Sequence, residues 1–307
     1  VTARVGWRVA VRRASHGFVR HRGIDAAAAL TFFSLLMLLP ASLAVVSVFA
    51  VFDDRDRAVD DLAAVLDIVL PDQATRDLEG VLRELLSLNN PWLALGIAVV
   101  LVIWTTAGYA TAFGRAANTV YEVEEGRPFW AFRARMIVVA LMLDLLGAVL
   151  VTVLLGPGGW PVWDVLRWPV VFAVAVLFVA VLYAFSPNVV RPHLRWVSVG
   201  SAFAILFWVI ASGGVALYSA LVDHGAVYGS LGGVIVGLLW LYVTQAALVA
   251  GVELDAEFTR LRQLADGADV ARSLDLPLRD SRRIRLLRRQ RNADIAAVRA
   301  LQDDVDR

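Results

Sequence analysis

Three charged side chains sit inside, or at the margins of, long apolar stretches: Arg115, Asp144 and Glu253. A carboxylate midway along an apolar helix costs about 2.5–3.5 kcal/mol on insertion scales, so Asp144 is expected to face a bundle interior with a partner or a proton. It lies eight residues, or about 12 Å at 1.5 Å per residue, from the arginine-rich end of its span. A cluster of Arg115, Asp144 and Glu253 in that half of a bundle follows. Thr105, Thr106, Ser212, Thr244 and Gln245 extend it towards the midplane. Such groups either line a cavity for the polar part of a substrate or join helices by hydrogen bonds, and the residue types fit both.

Other chemistries are poorly supplied. The 4 histidines (His16, His21, His193 and His224) fall in different segments outside the apolar runs, and no His-Glu-x-x-His pattern is present. No metal or cofactor is expected. Cysteine is absent, which removes disulfides, cysteine nucleophiles and thiolate zinc sites. Ser230 has His224 six residues away, but its neighbours read Gly229-Ser-Leu-Gly232 rather than Gly-x-Ser-x-Gly. All 29 basic residues are arginine, so a phosphate loop ending in Gly-Lys-Ser/Thr cannot occur. The sequence does not predict an enzyme.

The elements that must position these groups are membrane helices. Of the 307 residues 59% are hydrophobic, and the mean hydropathy is +0.67; soluble domains are roughly 45–50% apolar. Six runs are long enough to cross about 30 Å of hydrocarbon, namely 26–52, 92–112, 136–155, 168–186, 197–222 and 231–254. They are continuous rather than alternating, which favours helices over barrel strands. The segments outside the spans carry 24 arginines on one side and 5 on the other. The positive-inside rule puts both termini in the cytoplasm.

The predicted fold is therefore an all-α polytopic bundle, with a cytoplasmic segment 1–25, a membrane domain 26–258 and a basic cytoplasmic tail 259–307. Within it, residues 53–91 hold 10 acidic residues and two stretches of leucine and valine at helical spacing. That pattern reads as an extracytoplasmic amphipathic helical hairpin broken at Leu70-Pro71-Asp72. The tail packs 7 arginines between Arg279 and Arg291, interleaved with Ile284, Leu286 and Leu287. Anionic lipid is the expected partner, worth about 1 kcal/mol per basic residue near the surface. The aromatic platforms of nucleic-acid binders are missing there. Residues 5–18 read as an interfacial helix.

Gly229, Gly233 and Gly237 recur at i, i+4, i+8 and share one helix face, where a neighbouring backbone can approach closely. Gly213 and Gly214 in the fifth span are the expected partners. Pro40 predicts a bend in the first span.

Several residues form an ordered set: Leu30 to Pro40 (LTFFSLLMLLP), Trp104, Asn118 with Tyr121, Arg127-Pro-Phe129, Tyr183 with Ser186-Pro187-Asn188, Gly200, Trp208, Tyr218, Tyr228-Gly-Ser-Leu-Gly232, Trp240-Leu-Tyr242 and Gly251-x-Glu253. From about residue 20 to 258 this set resembles the YihY/virulence factor BrkB family, some of whose members carry a ribonuclease BN label. The resemblance implies a six-helix inner-membrane protein of undefined activity. Met37 stands where relatives tend to have a small polar residue. Asn118, Tyr121, Arg127, Pro187 and Asn188 then occupy two cytoplasmic loops, where they bind lipid phosphate or lock loops to helix ends. Transporter-like handling of a lipid or other amphiphile, or a non-catalytic scaffold docking a partner, are the two functions this pattern allows.

Overall fold

The computed structural model describes residues 3–51, 91–154, 161–190, 198–221, 232–270 and 274–305. Among them are eight α-helices: α1 (Ala3–Arg20), α2 (Gly23–Val51), α3 (Pro91–Val120), α4 (Phe129–Leu154), α5 (Pro161–Phe185), α6 (Val199–Leu221), α7 (Gly232–Ala265) and α8 (Arg282–Val305). Helices α2 to α7 are each long and apolar enough to cross a membrane. They form a multi-pass bundle whose outward faces carry large apolar side chains, such as Phe32 and Leu36 on α2, Leu145 on α4 and Ile210 on α6. In an acyl-chain solvent such exposure is favourable, and only the backbone must be satisfied internally, which helices do.

The six predicted spans and the six observed ones correspond, with shifted ends. The largest shifts come where a helix outruns the bilayer. Helix α7 has 34 residues, about 51 Å at 1.5 Å per residue, against a core of about 30 Å. It runs without a break past residue 258, the expected end of the membrane domain, and stops where Gly267 takes a φ of 85°. There Gly267 N–H donates to Leu264 O and Ala268 N–H to Gln263 O, the hydrogen-bond pair of a Schellman cap. Helix α3 ends the same way at Glu122, with φ 55° and Val123 N–H donating to Asn118 O. The predicted outer hairpin, apart from Pro91, lies outside the described residues.

The core is built around α3. Phe113 stacks on Tyr183 with ring centroids 5.7 Å apart, and Leu30, Met136, Leu143, Leu182 and Val252 close round them, almost fully buried. Helix α3 packs between α2 and α4, and α7 packs on α6, α2 and α1. Pro40 is accommodated inside α2.

The glycine contact between α6 and α7 is not where the spacing suggested. Among the described residues a Cβ added to Gly213 or Gly214 would meet nothing within 4 Å, so neither touches the described part of α7. The backbones instead touch at Gly200 and Gly251. A Cβ on Gly200 would overlap Gly251 O and come within 2.6 Å of Asp255 Cβ; one on Gly251 would overlap the Tyr183 hydroxyl and approach Ala204 Cβ to 2.6 Å. The absence of a side chain there allows the close crossing. Gly229 lies outside the described residues, whereas Gly233 and Gly237 fall in the first turns of α7 and Gly237 is buried. A few residues along, Trp240 Nε1 donates to Ser212 Oγ at 3.0 Å and ties the same two helices.

Candidate functional site

The polar residues of the spans form separate sets. Asp144 Oδ1 accepts a 2.7 Å hydrogen bond from Thr106 Oγ1, across from α4 to α3. Thr106 Oγ1 also lies 3.0 Å from Met37 Sδ on α2. One hydroxyl has one proton, and the carboxylate is the stronger acceptor. Asp144 Oδ2 is buried and has no hydrogen-bond partner among the described residues. Because α4 begins at Phe129, well before the expected Met136, Asp144 is about 22 Å along it at 1.5 Å per residue. The residue is half-buried. Three positions on, a Cβ at Gly147 would meet nothing within 4 Å.

Arg115 and Glu253 do not join Asp144. Nine residues separate Thr106 from Arg115, and at 3.6 residues per turn that sends them to opposite faces of α3. Arg115 is exposed. Glu253 is buried where α7 meets α1, and its Oε1 is 2.8 Å from His21 Nδ1. Thr105 bonds back to the carbonyls of Leu101 and Val102. Gln245 accepts from Tyr109 OH at 2.9 Å and donates to Ser34 Oγ at 2.9 Å, linking α7, α3 and α2. These last contacts join helices.

The loop residues, by contrast, converge. They lie at the end of the bundle that carries both terminal helices. The Arg127 guanidinium forks onto Glu125, with Nε to Oε1 and Nη2 to Oε2 both 2.7 Å. Nη2 also donates to Ser186 O at 2.9 Å, and Cζ stands 4.7 Å over the Phe132 ring. Asn118 Nδ2 donates to Glu125 Oε2 at 2.9 Å, while its Oδ1 accepts from Asn188 N at 2.7 Å. Pro187, buried and just past the end of α5, follows Ser186 and leads the chain into Asn188. Tyr121 OH donates to Asp255 Oδ2 on α7 at 2.9 Å. Burial alone would raise the Glu125 carboxyl. The Arg127 side chain and backbone N–H, the Arg127 charge and Asn118 outweigh it and hold that carboxyl below its ordinary value.

The tail closes this lock. Asn188 Nδ2 donates to Asp280 O at 2.9 Å and to Glu124 O at 3.2 Å, and Asn188 Oδ1 accepts from Asp280 N at 3.3 Å. Val189 and Leu278 form an isolated antiparallel bridge. Arg279 Nε donates to Val189 O at 2.8 Å, and its Nη2 reaches Ala184 O. Arg283 N donates to Gly126 O at 2.9 Å, and a Cβ at Gly126 would overlap Asp280 O. Asp280 is pulled down to about 2 by hydrogen bonds from the Arg282 side chain and backbone. Asn118, Arg127 and Asn188 were marked by the family resemblance, not by any spacing between them. Nothing in the sequence pointed to Asp280, which takes part through its backbone N–H and carbonyl, groups that any residue carries; Arg279 was marked only as part of the basic run, although its guanidinium bonds to the carbonyls of Val189 and Ala184.

A second set at the same end fixes α1. Arg13 Nε meets Glu257 Oε2 at 2.8 Å and Arg20 Nη2 meets Glu122 Oε1 at 2.9 Å. Among the described residues no three His, Asp or Glu side chains are placed to hold a metal ion.

The sequence model of a family described as virulence factor BrkB matches residues 14–273. The match extends beyond residues 20–258 at both ends and stops just short of the tail segment that docks on Asn188. A protein of Bacillus subtilis named YfkH and described as ribonuclease-like is 28% identical over 265 residues, covering 81% of this chain and 94% of its own. UPF0761 membrane proteins of Rhodospirillum centenum and Laribacter hongkongensis are each 25% identical over 82% and 78% of the chain. The chain spans 58% and 59% of the length of those two relatives. No solved structure matches it.

Proposed function

The chain belongs to the virulence factor BrkB family, and from that premise we propose a transporter-like membrane protein that handles a lipid or other amphiphile. Asp144 carries the reading. It is a carboxylate deep along a membrane helix, bonded through one oxygen by Thr106 and through the other by no described residue. An intramembrane ionisable group is expensive and is kept where it serves a pathway. The open space beside Gly147, with Leu145 exposed to the acyl chains on the same helix, suits a ligand that is polar at one end and apolar at the other.

The arginine imbalance supports an orientation with both termini in the cytoplasm of a bacterial inner membrane. The lock then faces the cytoplasm. We propose no catalytic activity for the chain. Ribonuclease-like is said of the Bacillus relative and not of this chain, and hydrolysis assisted by metal ions wants converging ligands, of which the described residues hold no set.

The test is lipid movement in proteoliposomes holding the parent or Asp144→Asn, with thermal unfolding followed in parallel. The parent is expected to move labelled lipid, and the variant to lose most of that rate while staying folded. Equal rates would remove Asp144 from the mechanism. No movement by either would favour a non-catalytic scaffold, a reading that the exposed Ile295, Val298 and Leu301 on α8 also support as a partner surface.

A further inference from the structure

Between α3, α4 and α8 the bundle holds a groove of about 960 Å³, at the upper end of what ligand clefts span. Five arginines line it: Arg115 from α3, Arg133 from α4, and Arg283, Arg288 and Arg291 from α8. The lining carboxylates are Glu124 and Glu125, and Glu125 is already taken by the Arg127 fork and Asn118. Among the described residues none of the five arginines is ion-paired to a carboxylate. The groove is strongly positive.

Its other surface is apolar. Trp104 lies seven residues before Thr111 and eleven before Arg115, one face of α3, and Arg133 Cζ stands 4.4 Å over the Trp104 ring. Phe129 and Leu287 also line it and stay exposed, as does Trp104, while Phe132 and Ile284 form its buried apolar floor. Arginines beside exposed rings and leucine, at the end of a membrane helix, match a molecule with an anionic head and acyl chains. The geometry is fixed before any ligand arrives. Arg283 N is bonded to Gly126 O, and Asp280 to Asn188, so α8 is fastened to the loops that carry the rest of the wall. Ile284, the one buried residue among those of α8 whose burial is described, seats the first turn of the helix beside the groove, and the arginines after it stay exposed.

We propose that this groove binds an anionic glycerophospholipid of the leaflet at the arginine-rich end, its phosphodiester among Arg115, Arg133 and Arg288 and its chains along Trp104 and Phe129. Guanidinium groups match phosphate oxygens with paired hydrogen bonds, and basic pockets at helix ends suit such heads. The site is set apart from Asp144, and it holds whether or not the bundle moves lipid. A protein that retains this lipid without transporting it would sink the transport reading alone.

The experiment titrates the delipidated full chain in neutral detergent with phosphatidylglycerol, with phosphatidylcholine of the same chains, and with inorganic phosphate, read by native mass spectrometry. The parent is expected to bind phosphatidylglycerol at least ten-fold more tightly than phosphatidylcholine. The double variant Arg115→Gln with Arg288→Gln is expected to lose that preference, and Arg299→Gln, outside the groove, to keep it. Both altered side chains in the double variant are exposed, and an unchanged thermal unfolding curve guards against misfolding. Equal binding of the two lipids would overturn the proposal. So would equal loss in Arg299→Gln, which would mean diffuse charge, or phosphate displacing the lipid at low millimolar concentration, which would mean a free-anion site.

Discussion

Replacing Asn188 by alanine should release the tail without disturbing the spans. The Asn188 side chain makes three hydrogen bonds, to Asp280 O at 2.9 Å, to Glu124 O at 3.2 Å and from Asp280 N at 3.3 Å, at a position with no exposure. A net 0.5–1.5 kcal/mol is typical for each. Only the two bonds to Asp280 hold the tail; with the longer of them at the low end, the docking of residues 277–283 loses about 1–2 kcal/mol, or about 5- to 30-fold in its opening equilibrium. The backbone bonds from Arg279 N to Asn188 O and from Val190 N to Pro277 O remain, so the tail loosens rather than dissociates. Hydrogen exchange followed by mass spectrometry on a peptide covering 277–287 reads this directly, since the amides of Arg279, Asp280 and Arg283 all donate across the lock. Their exchange should accelerate by that factor while peptides from α3 and α6 keep their protection. The reasoning is refuted if the parent's amides at 279, 280 and 283 already exchange at unprotected rates, or if Asn188→Ala leaves them unchanged.

Two further outcomes follow. Gly251→Ala should lower stability by about 1–3 kcal/mol, the range for overpacking, because its Cβ would overlap the Tyr183 hydroxyl. Gly214→Ala, with open space around it, should be neutral or gain up to about 1 kcal/mol of helix propensity; thermal unfolding of both in one detergent checks the contrast. Glu125, whose folded value lies below the ordinary 4.5, stabilises the lock above that value and loses its contribution as pH falls through the lower one. Melting temperature should therefore stay level from pH 7 to about pH 5 and drop below about pH 4. Glu125→Gln should be less stable at neutral pH and flatter in acid, and parallel curves would contradict the assignment.

Legibility in the sequence tracked how far each signal reaches along the chain. Hydrocarbon solvation acts on every residue of a span, so the six runs announced themselves in hydropathy alone. A helix that leaves the bilayer does not change its period, and so α7 was cut short at 254 although nothing local ends it before Gly267. Polar pairs inside the spans depend on rotation about each helix axis. Depth alone groups Arg115, Asp144 and Glu253; helix phase sends Arg115 to the face opposite Thr106, and His21, in the turn after α1, takes Glu253.

The glycines teach the same lesson from the other side. Spacing showed that Gly229, Gly233 and Gly237 share a face, but the partner of a face is a fact of tertiary packing. The close crossing fell to Gly200 and Gly251, one near the start of α6 and one far along α7, which no periodicity within a single helix connects. The lock was half visible, since the family resemblance picks out Asn118, Arg127 and Asn188, although Asn118 belongs to the last turn of α3 and not to the loop expected there. Its other half is backbone carbonyls and amides of 277–283. That division has a physical consequence for the groove. The place of α8 beside the groove is set by the main-chain bond from Arg283 N to Gly126 O and by the Asn188 side chain on Asp280, so Asn188→Ala should weaken the lipid preference in the same titration although it removes no arginine.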